Sequence, residues 1–478
     1  MTLMEHYSCV NCMAVLCQGG SGELYCQNCG RSFPIISDIP ILTSRPRELL
    51  MVHVHELRQA LAAFESKRAL LPAADNGRSP GMMERTRQML EGMSSNLNLI
   101  ARYMKPIEDY VARNQDKPAN LIDWALAQNA GSVPQVMLPF FYQDWARTRE
   151  YEDVESLIIQ ALTDHSPDRE AVAVLGAGAC GLVHASAQHF RVVYGLDLSV
   201  PTLLIAQVVL AGNPIEVALA RAGWRSVRLS PPPPAKNGIR MVTADVSSLP
   251  FAEGSLSAIV TQYLLDVTGD PLGVAAEIQR TLKPSGIWVN FSNPFKLPGD
   301  PSELPPEPSE LPGLFQPVGL DVMRVERTHF NLQNLDHIYA GGHRNFQEVH
   351  FFIARKTESS GNGIKRFHLR DPDQDKSWQQ CVPKIIPGRE IQIIQKRVFG
   401  PRGTRNVTEI GLNAVNFTVS AEHTALVEML FRQIDGKHTL REVFNGLASQ
   451  GMTMTGMEFR ELVHCLLKQY CVISVDEC

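Results

Sequence analysis

The sequence has no apolar run approaching the roughly 18 residues that a membrane-spanning helix requires. Its first ten residues, MTLMEHYSCV, lack the charged-then-apolar pattern of a secretory signal. Both absences point to a cytoplasmic chain with no membrane partner. A basic excess is missing too: 45 Lys and Arg against 50 Asp and Glu leave a net charge of −5. That balance argues against a broad nucleic-acid surface but does not exclude one local basic patch. Cysteine is sparse beyond the N-terminus, because five of the ten fall within the first 29 residues. Such clustering favours a metal site over disulfides. The rest is ordinary globular material, 44% hydrophobic over 478 residues, enough for two to four domains with real cores.

The chain's central pattern is VAVLGAGACGLVHASAQHFRVVYGLD, residues 172–197. An apolar run, 172–175, ends in Gly176, Gly178 and Gly181; a helix-like stretch and a second apolar run, 192–196, lead to Asp197. Glycines in such a turn let backbone approach a ligand, since no Cβ intervenes. An acid at the tip of the second strand can accept hydrogen bonds from two ribose hydroxyls. The unit predicts a nucleoside-containing cofactor, and on glycine spacing alone both NAD and S-adenosylmethionine (SAM) fit. Downstream, residues 241–244 read as a third strand ending on Asp245, and 256–262 as a fourth. Residues 271–282 read as a helix, and 287–290 as a fifth strand after a Lys283–Pro284–Ser285–Gly286 turn.

This order resembles class I SAM-dependent methyltransferases. The resemblance implies that Gly176, Gly178 and Gly181 pass the methionine moiety, that Asp197 holds the ribose, and that Asp245, with backbone around Val246, brackets adenine. It further implies a seven-stranded Rossmann-like α/β sheet, with residues 321–330 and 347–355 as its last strands. A nicotinamide enzyme and a doubly wound sheet with a dead site are the competing readings.

Cys9-x2-Cys12 and Cys26-x2-Cys29 form two CxxC pairs separated by 13 residues. Two such knuckles can bring four thiolates onto a tetrahedral Zn²⁺, which leaves no open position and so reads as structural. Cys17 is a spare. The following GRSFPIISDIPILTS resembles Trm112-like zinc ribbons over residues 7–43, a type found fused to or partnered with methyltransferases.

Residues 47–163 carry helical spacing, with 72–81 as a loop. Within them, VMLPFFYQDWARTRE crowds Phe140, Phe141, Tyr142 and Trp145 around Asp144. It reads either as a helix start packed on the sheet or as a cap over the methionine end of SAM. FFYQDWAR, GAGACGLV and IVTQYLLDVTGDPLGVAAEIQRTLKPSGIWVNFSNP together resemble the carnosine N-methyltransferase-like family over residues 137–356. Asp266 matches that family's substrate-binding acid. Gln143 stands where the family has arginine and Gln262 where it has cysteine; its late tyrosines and its histidine have no counterpart. The SAM half therefore carries over better than the carnosine half. The resemblance places Gln143 and Gln262 beside the cofactor and Tyr263 and Asp266 at the acceptor, Asp266 to orient a nitrogen or take its proton.

Two inserts, 211–238 and 297–313, read as proline-stiffened loops, and His350 reads as a strand residue. After a polar linker, residues 389–478 resemble PqqD-like winged-helix modules that dock peptides, with expected helices at 421–434, 439–448 and 457–470. The expected organisation is a ribbon (1–45), a helical cap (46–165), a SAM-dependent methyltransferase domain (166–356), a linker (357–388) and the winged-helix module. The expected activity is N-methylation of a peptide or an amino-acid-derived small molecule. An rRNA or tRNA methyltransferase and a non-catalytic SAM-binding scaffold are the alternatives.

Overall fold

The computed structural model describes residues 7–19, 22–70, 79–114, 134–147, 149–219, 223–297, 304–332, 345–357, 380–385, 391–400, 403–412, 415–419, 428–451, 459, 463 and 473–475. The chain opens with three two-residue strands, β1 (Cys17–Gln18), β2 (Leu24–Tyr25) and β3 (Ser32–Phe33), then β4 (Ile35–Ile36) and β5 (Ile39–Leu42). Helices α1 (Pro46–Leu70), α2 (Pro80–Arg113), α3 (Pro134–Trp145) and α4 (Arg149–His165) follow. The central unit comprises β6 (Ala171–Leu175), α5 (Gly181–Ser186), β7 (Val192–Asp197), α6 (Val200–Leu210), β8 (Ile215–Leu219), β9 (Arg225–Leu229), β10 (Gly238–Ala244) and β11 (Leu256–Gln262). It continues through α7 (Pro271–Thr281), β12 (Leu282–Ser292), α8 (Leu311–Phe315), β13 (Leu320–Leu332) and β14 (Asn345–Lys356).

The main sheet runs β13-β14-β12-β11-β6-β7-β10-β5-β4. The sequence predicts seven strands; the structure has nine, because β5 from the cysteine-rich segment pairs in parallel with β10 (Ile41 opposite Thr243, Leu42 opposite Ala244) and brings β4 with it. The seven expected strands lie within the nine, and among them only β14 runs antiparallel to its neighbours.

Strand alternation sends side chains to two cores. Val172 and Val174 of β6 pack with α1 to α6, whereas Ala173 and Leu175 pack with the ribbon, α7 and α8. Buried polar groups between strands are paired: Trp288 Nε1 donates to Thr261 Oγ1 (2.8 Å), which donates to Asn290 Oδ1 (2.8 Å). Helix starts follow local chemistry. Ser79 caps α2 ahead of Pro80, and Asp270 caps α7 by accepting from Gly273 N (2.8 Å) ahead of Pro271.

Residues 211–238, expected as a loop, contain the β8–β9 hairpin. Its strand β8 docks on α2, where Asn96 Nδ2 donates to Ala218 O (2.9 Å) and Asn96 Oδ1 accepts from Ala218 N (2.8 Å). Contact is close enough that a Cβ on Gly92 would lie 2.9 Å from Trp224 O and 3.0 Å from Ala218 Cβ. Gly92→Leu is expected to cost about 1–3 kcal/mol of stability by overpacking. A urea midpoint equal to that of the wild type would contradict this.

Farther on, β15 (Pro383–Ile385), within the stretch read as a linker, pairs with the late strand β19 (Ile473–Val475). Between them run an antiparallel meander, β16 (Ile391–Gly400), β17 (Gly403–Leu412) and β18 (Val415–Val419), and helix α9 (Leu440–Ser449). Thr439 and Glu442 cap α9 reciprocally. Most residues of the other two helices expected there, 421–427, 457–458, 460–462 and 464–470, lie outside the described residues. Among the described residues no helix is long and apolar enough to cross a membrane.

Candidate active site

The parallel strands end together, so their carboxyl ends form one edge: Leu175 lies opposite Leu196 and Thr261, Asp197 opposite Thr243, and Gln262 opposite Phe291. The glycine loop leaves β6 at this edge. Gly176 and Gly178 have φ of +69° and +49°, where a side chain is disfavoured. A Cβ on Gly176 would also approach Leu264 Cδ1 to 3.4 Å. Gly181 is packed tightly. Its Cβ would collide with the Tyr151 hydroxyl and the Asp144 side chain, so its lack of one serves packing against α3 and α4.

Helix α3 clasps this loop: Asp144 Oδ2 accepts from Gly181 N (2.9 Å), and Trp145 Nε1 donates to Ala179 O (3.0 Å). Burial raises the Asp144 pKa to about 7, with the Gly181 N–H partly offsetting and Glu155 adding to the rise. Gln143 precedes Asp144 on α3 and is half-buried. The aromatic segment thus packs against the glycine loop itself.

Asp197 ends β7. Its Oδ2 accepts from Gly178 N (2.8 Å) and its Oδ1 from Ser199 N (2.8 Å). Two carboxylate oxygens offer about four acceptor positions, so about two remain for ribose hydroxyls. Burial pushes its pKa up, while the Ser199 and Gly178 N–H groups and the His53 imidazole pull it down. Asp245 follows β10; its Oδ1 accepts from Ser247 N (2.8 Å), which fixes the turn containing half-buried Val246.

Past Gln262, the chain turns sharply at Tyr263, with φ of +49° and Tyr263 N donating to Phe291 O (2.8 Å). Asn293 Nδ2 donates to Asp266 Oδ2 (2.7 Å), which aims that carboxyl. Asp266 Oδ1 and the Tyr263 hydroxyl are buried without a hydrogen-bond partner among the described residues. Burial raises the pKa of both, and Asp266 raises Tyr263 further. Tyr263 and Asp266 therefore both follow β11 at the strand ends, and Asn293, expected as a loop residue, positions one of them.

Lys283 is not at this edge. Its Nζ donates to Asp168 Oδ2 (2.9 Å) at the amino ends of the strands, so the Lys–Pro–Ser–Gly turn ties β12 to the chain entering β6. His350 sits in β14 opposite Ser292, as expected of a strand residue. Sequence reasoning missed His53 on α1, which is fully buried. A single histidine in a helix carries no spacing signal.

The four expected metal ligands converge. Cys9 Sγ and Cys29 Sγ are 3.6 Å apart, Cys12 Sγ and Cys26 Sγ 3.4 Å, and all four sulfurs lie within 4.8 Å of one another. Tetrahedral Zn–S bonds near 2.3 Å require S–S edges of about 3.8 Å, so the set fits zinc. Each knuckle closes the same way, Met13 N donating to Cys9 O (2.8 Å) and Gly30 N to Cys26 O (2.9 Å). Cys17 lies outside the cluster, in β1.

Residues 174–289 match a family model described as a methyltransferase domain. No curated protein matches the chain. Similar solved structures include a SAM-dependent methyltransferase from Methanosarcina mazei, at 16% identity over 41% of this chain and 96% of that one, with a TM-score of 0.31. Another is the YcgJ protein from Bacillus subtilis, at 16% identity over 43% of this chain and 100% of that one, with a TM-score of 0.31. A third is the [4+2]-cyclase SpnF, at 15% identity over 47% of this chain and 94% of that one, with a TM-score of 0.35. The matched segment runs from the end of β6 into β12 and includes the whole glycine loop, and the chain has a class I SAM-dependent methyltransferase fold.

Proposed function

We propose that this chain is a cytoplasmic SAM-dependent methyltransferase that methylates a nitrogen of a peptide or an amino-acid-derived small molecule. The observation that carries the reading is that half-buried Tyr263 and Asp266, beside the glycine loop, each hold one buried side-chain oxygen with no hydrogen-bond partner among the described residues. Bound SAM supplies a sulfonium-activated methyl group. The protein's part is to hold the acceptor in line and dry. Asp266 Oδ1 accepts from the acceptor N–H, turns the nitrogen lone pair toward the methyl, and takes the proton shed once nitrogen is alkylated. Tyr263, kept neutral by its raised pKa, offers a hydroxyl to the same acceptor. Gly176 and Gly178 admit the methionine end with Gln143 and Gln262 alongside, Asp197 takes the ribose, and Asp245 with Val246 brackets the adenine. The Cys₄ cluster is a structural zinc site, and the C-terminal residues dock a peptide.

Asp197→Ala is expected to weaken SAM binding by about 1–3 kcal/mol, roughly 5- to 150-fold, in calorimetry. Unchanged affinity would remove Asp197 from the ribose site. The acceptor reading is tested by incubating the protein with methyl-labelled SAM and separate pools of peptides, small imidazoles and amines, and RNA. Label in the peptide or small-molecule pool is expected. Label only in RNA, or SAM binding with no transfer to any pool, would overturn the reading.

A further inference from the structure

His53 lies on the second turn of α1 with 0% of its surface exposed, and neither ring nitrogen has a hydrogen-bond partner among the described residues. Glu56 Oε2, one turn on, stands 3.5 Å from Nδ1, within ion-pair reach but without a hydrogen bond. An imidazole always carries at least one N–H, and burying it unpaired is costly. Structural histidines in a core avoid that cost by bonding a neighbour; among the described residues this one does not.

Its surroundings explain why. Helix α1 leaves β5 at the carboxyl end of that strand, the edge that bears the glycine loop and Asp197. Leu49, Leu50 and Val54 of α1 share a core with Ile41 of β5 and Leu203 of α6. Thr243 lies opposite Asp197 on one side and Ile41 on the other, so the three share a face, and the Thr243 hydroxyl is likewise buried and unpartnered.

We propose that His53 completes the ribose site: one ring nitrogen hydrogen-bonds a ribose hydroxyl of the adenosyl ligand while Asp197 accepts from the hydroxyls, and Glu56 holds the ring from behind. This rests on the SAM reading above. A ribose hydroxyl both donates and accepts. Asp197 can only accept, which leaves the hydroxyl oxygens in need of a donor in a buried site. A neutral imidazole offers one donor and one acceptor, so the pairing holds in either tautomer.

The test measures binding of S-adenosylhomocysteine and its 2′,3′-dideoxy analogue to the full chain by calorimetry. His53→Phe fills the volume without a polar atom; His53→Gln keeps a donor and an acceptor. His53→Phe is expected to weaken S-adenosylhomocysteine on the order of tenfold and the dideoxy analogue by less than about twofold, with His53→Gln recovering most of the loss. Equal weakening of both ligands by a variant that melts cooperatively, or no weakening of S-adenosylhomocysteine by His53→Phe, would overturn the proposal while leaving the SAM reading intact. A wild type that binds neither ligand would overturn both.

Discussion

Chelating zinc from the Cys9–Cys12–Cys26–Cys29 cluster is expected to lower the melting temperature of the whole nine-stranded unit, on the order of 10 °C. The reason is how the ribbon is built in. All four residues of β5 are buried and extend the sheet at β10, one residue before Asp245. The ribbon also reaches the sheet elsewhere. Ser8 N donates to Pro250 O (3.0 Å), Ser248 Oγ donates to Val10 O (3.0 Å), and the Tyr7 ring meets Tyr194 edge-on at 6.0 Å between centroids. Structural zinc is worth about 10–16 kcal/mol to isolated finger peptides. Only part of that reaches a larger domain, since unfolded cysteines also bind metal. A loss of roughly 4 kcal/mol at 2–4 °C per kcal/mol gives the predicted shift. Because α1 follows β5 after three residues and carries His53, chelation should also weaken SAM binding. A separate ribbon melt with an unmoved main transition would show an appendage rather than a built-in part.

That coupling marks where sequence stops being legible. The glycine loop, the acids at strand ends and the CxxC pairs are local signals, each made by residues close in the chain, and they stand where the sequence placed them. The pairing of β5 with β10 joins residues about two hundred positions apart through a four-residue strand, Ile-Pro-Ile-Leu, whose apolar run reads equally well as a ribbon tail. The β8–β9 hairpin was hidden by the four prolines that follow it, although Ile215, Val217 and Leu219 do alternate with other residues. Spacing cannot say which neighbour the missing Cβ of Gly181 makes room for. In the fold that neighbour is Asp144 and Tyr151. His53 has no motif at all; its meaning comes only from the burial of two ring nitrogens.

Asp266→Asn is expected to lower kcat by about 10²–10⁴-fold with SAM affinity unchanged. The substitution keeps the volume and can keep the bond from Asn293 Nδ2, which is 2.7 Å from Asp266 Oδ2. With the amide oxygen turned to Asn293, the amide NH₂ occupies the position of Oδ1. A donor then faces the acceptor N–H, and the site can neither orient the lone pair nor receive a proton. Asp266→Ala also leaves the Asn293 amide without this partner, so it should lower stability as well as kcat, which makes the asparagine variant the cleaner probe. The pH profile separates chemistry from packing. Burial raises the Asp266 pKa in the native state, so its carboxylate is lost at a higher pH than for a free aspartate near 3.9. Activity should therefore fall on the acid side with an apparent pKa above 3.9, and that limb should vanish from the residual activity of Asp266→Asn. The same rise has the opposite sign for stability: a carboxyl whose folded pKa exceeds its unfolded value favours the folded state more at low pH, and that contribution is lost as pH rises through the folded pKa. Activity and stability should thus move in opposite directions across one titration. An acid limb that persists in Asp266→Asn, or equal losses in kcat and SAM affinity, would place Asp266 outside the acceptor site.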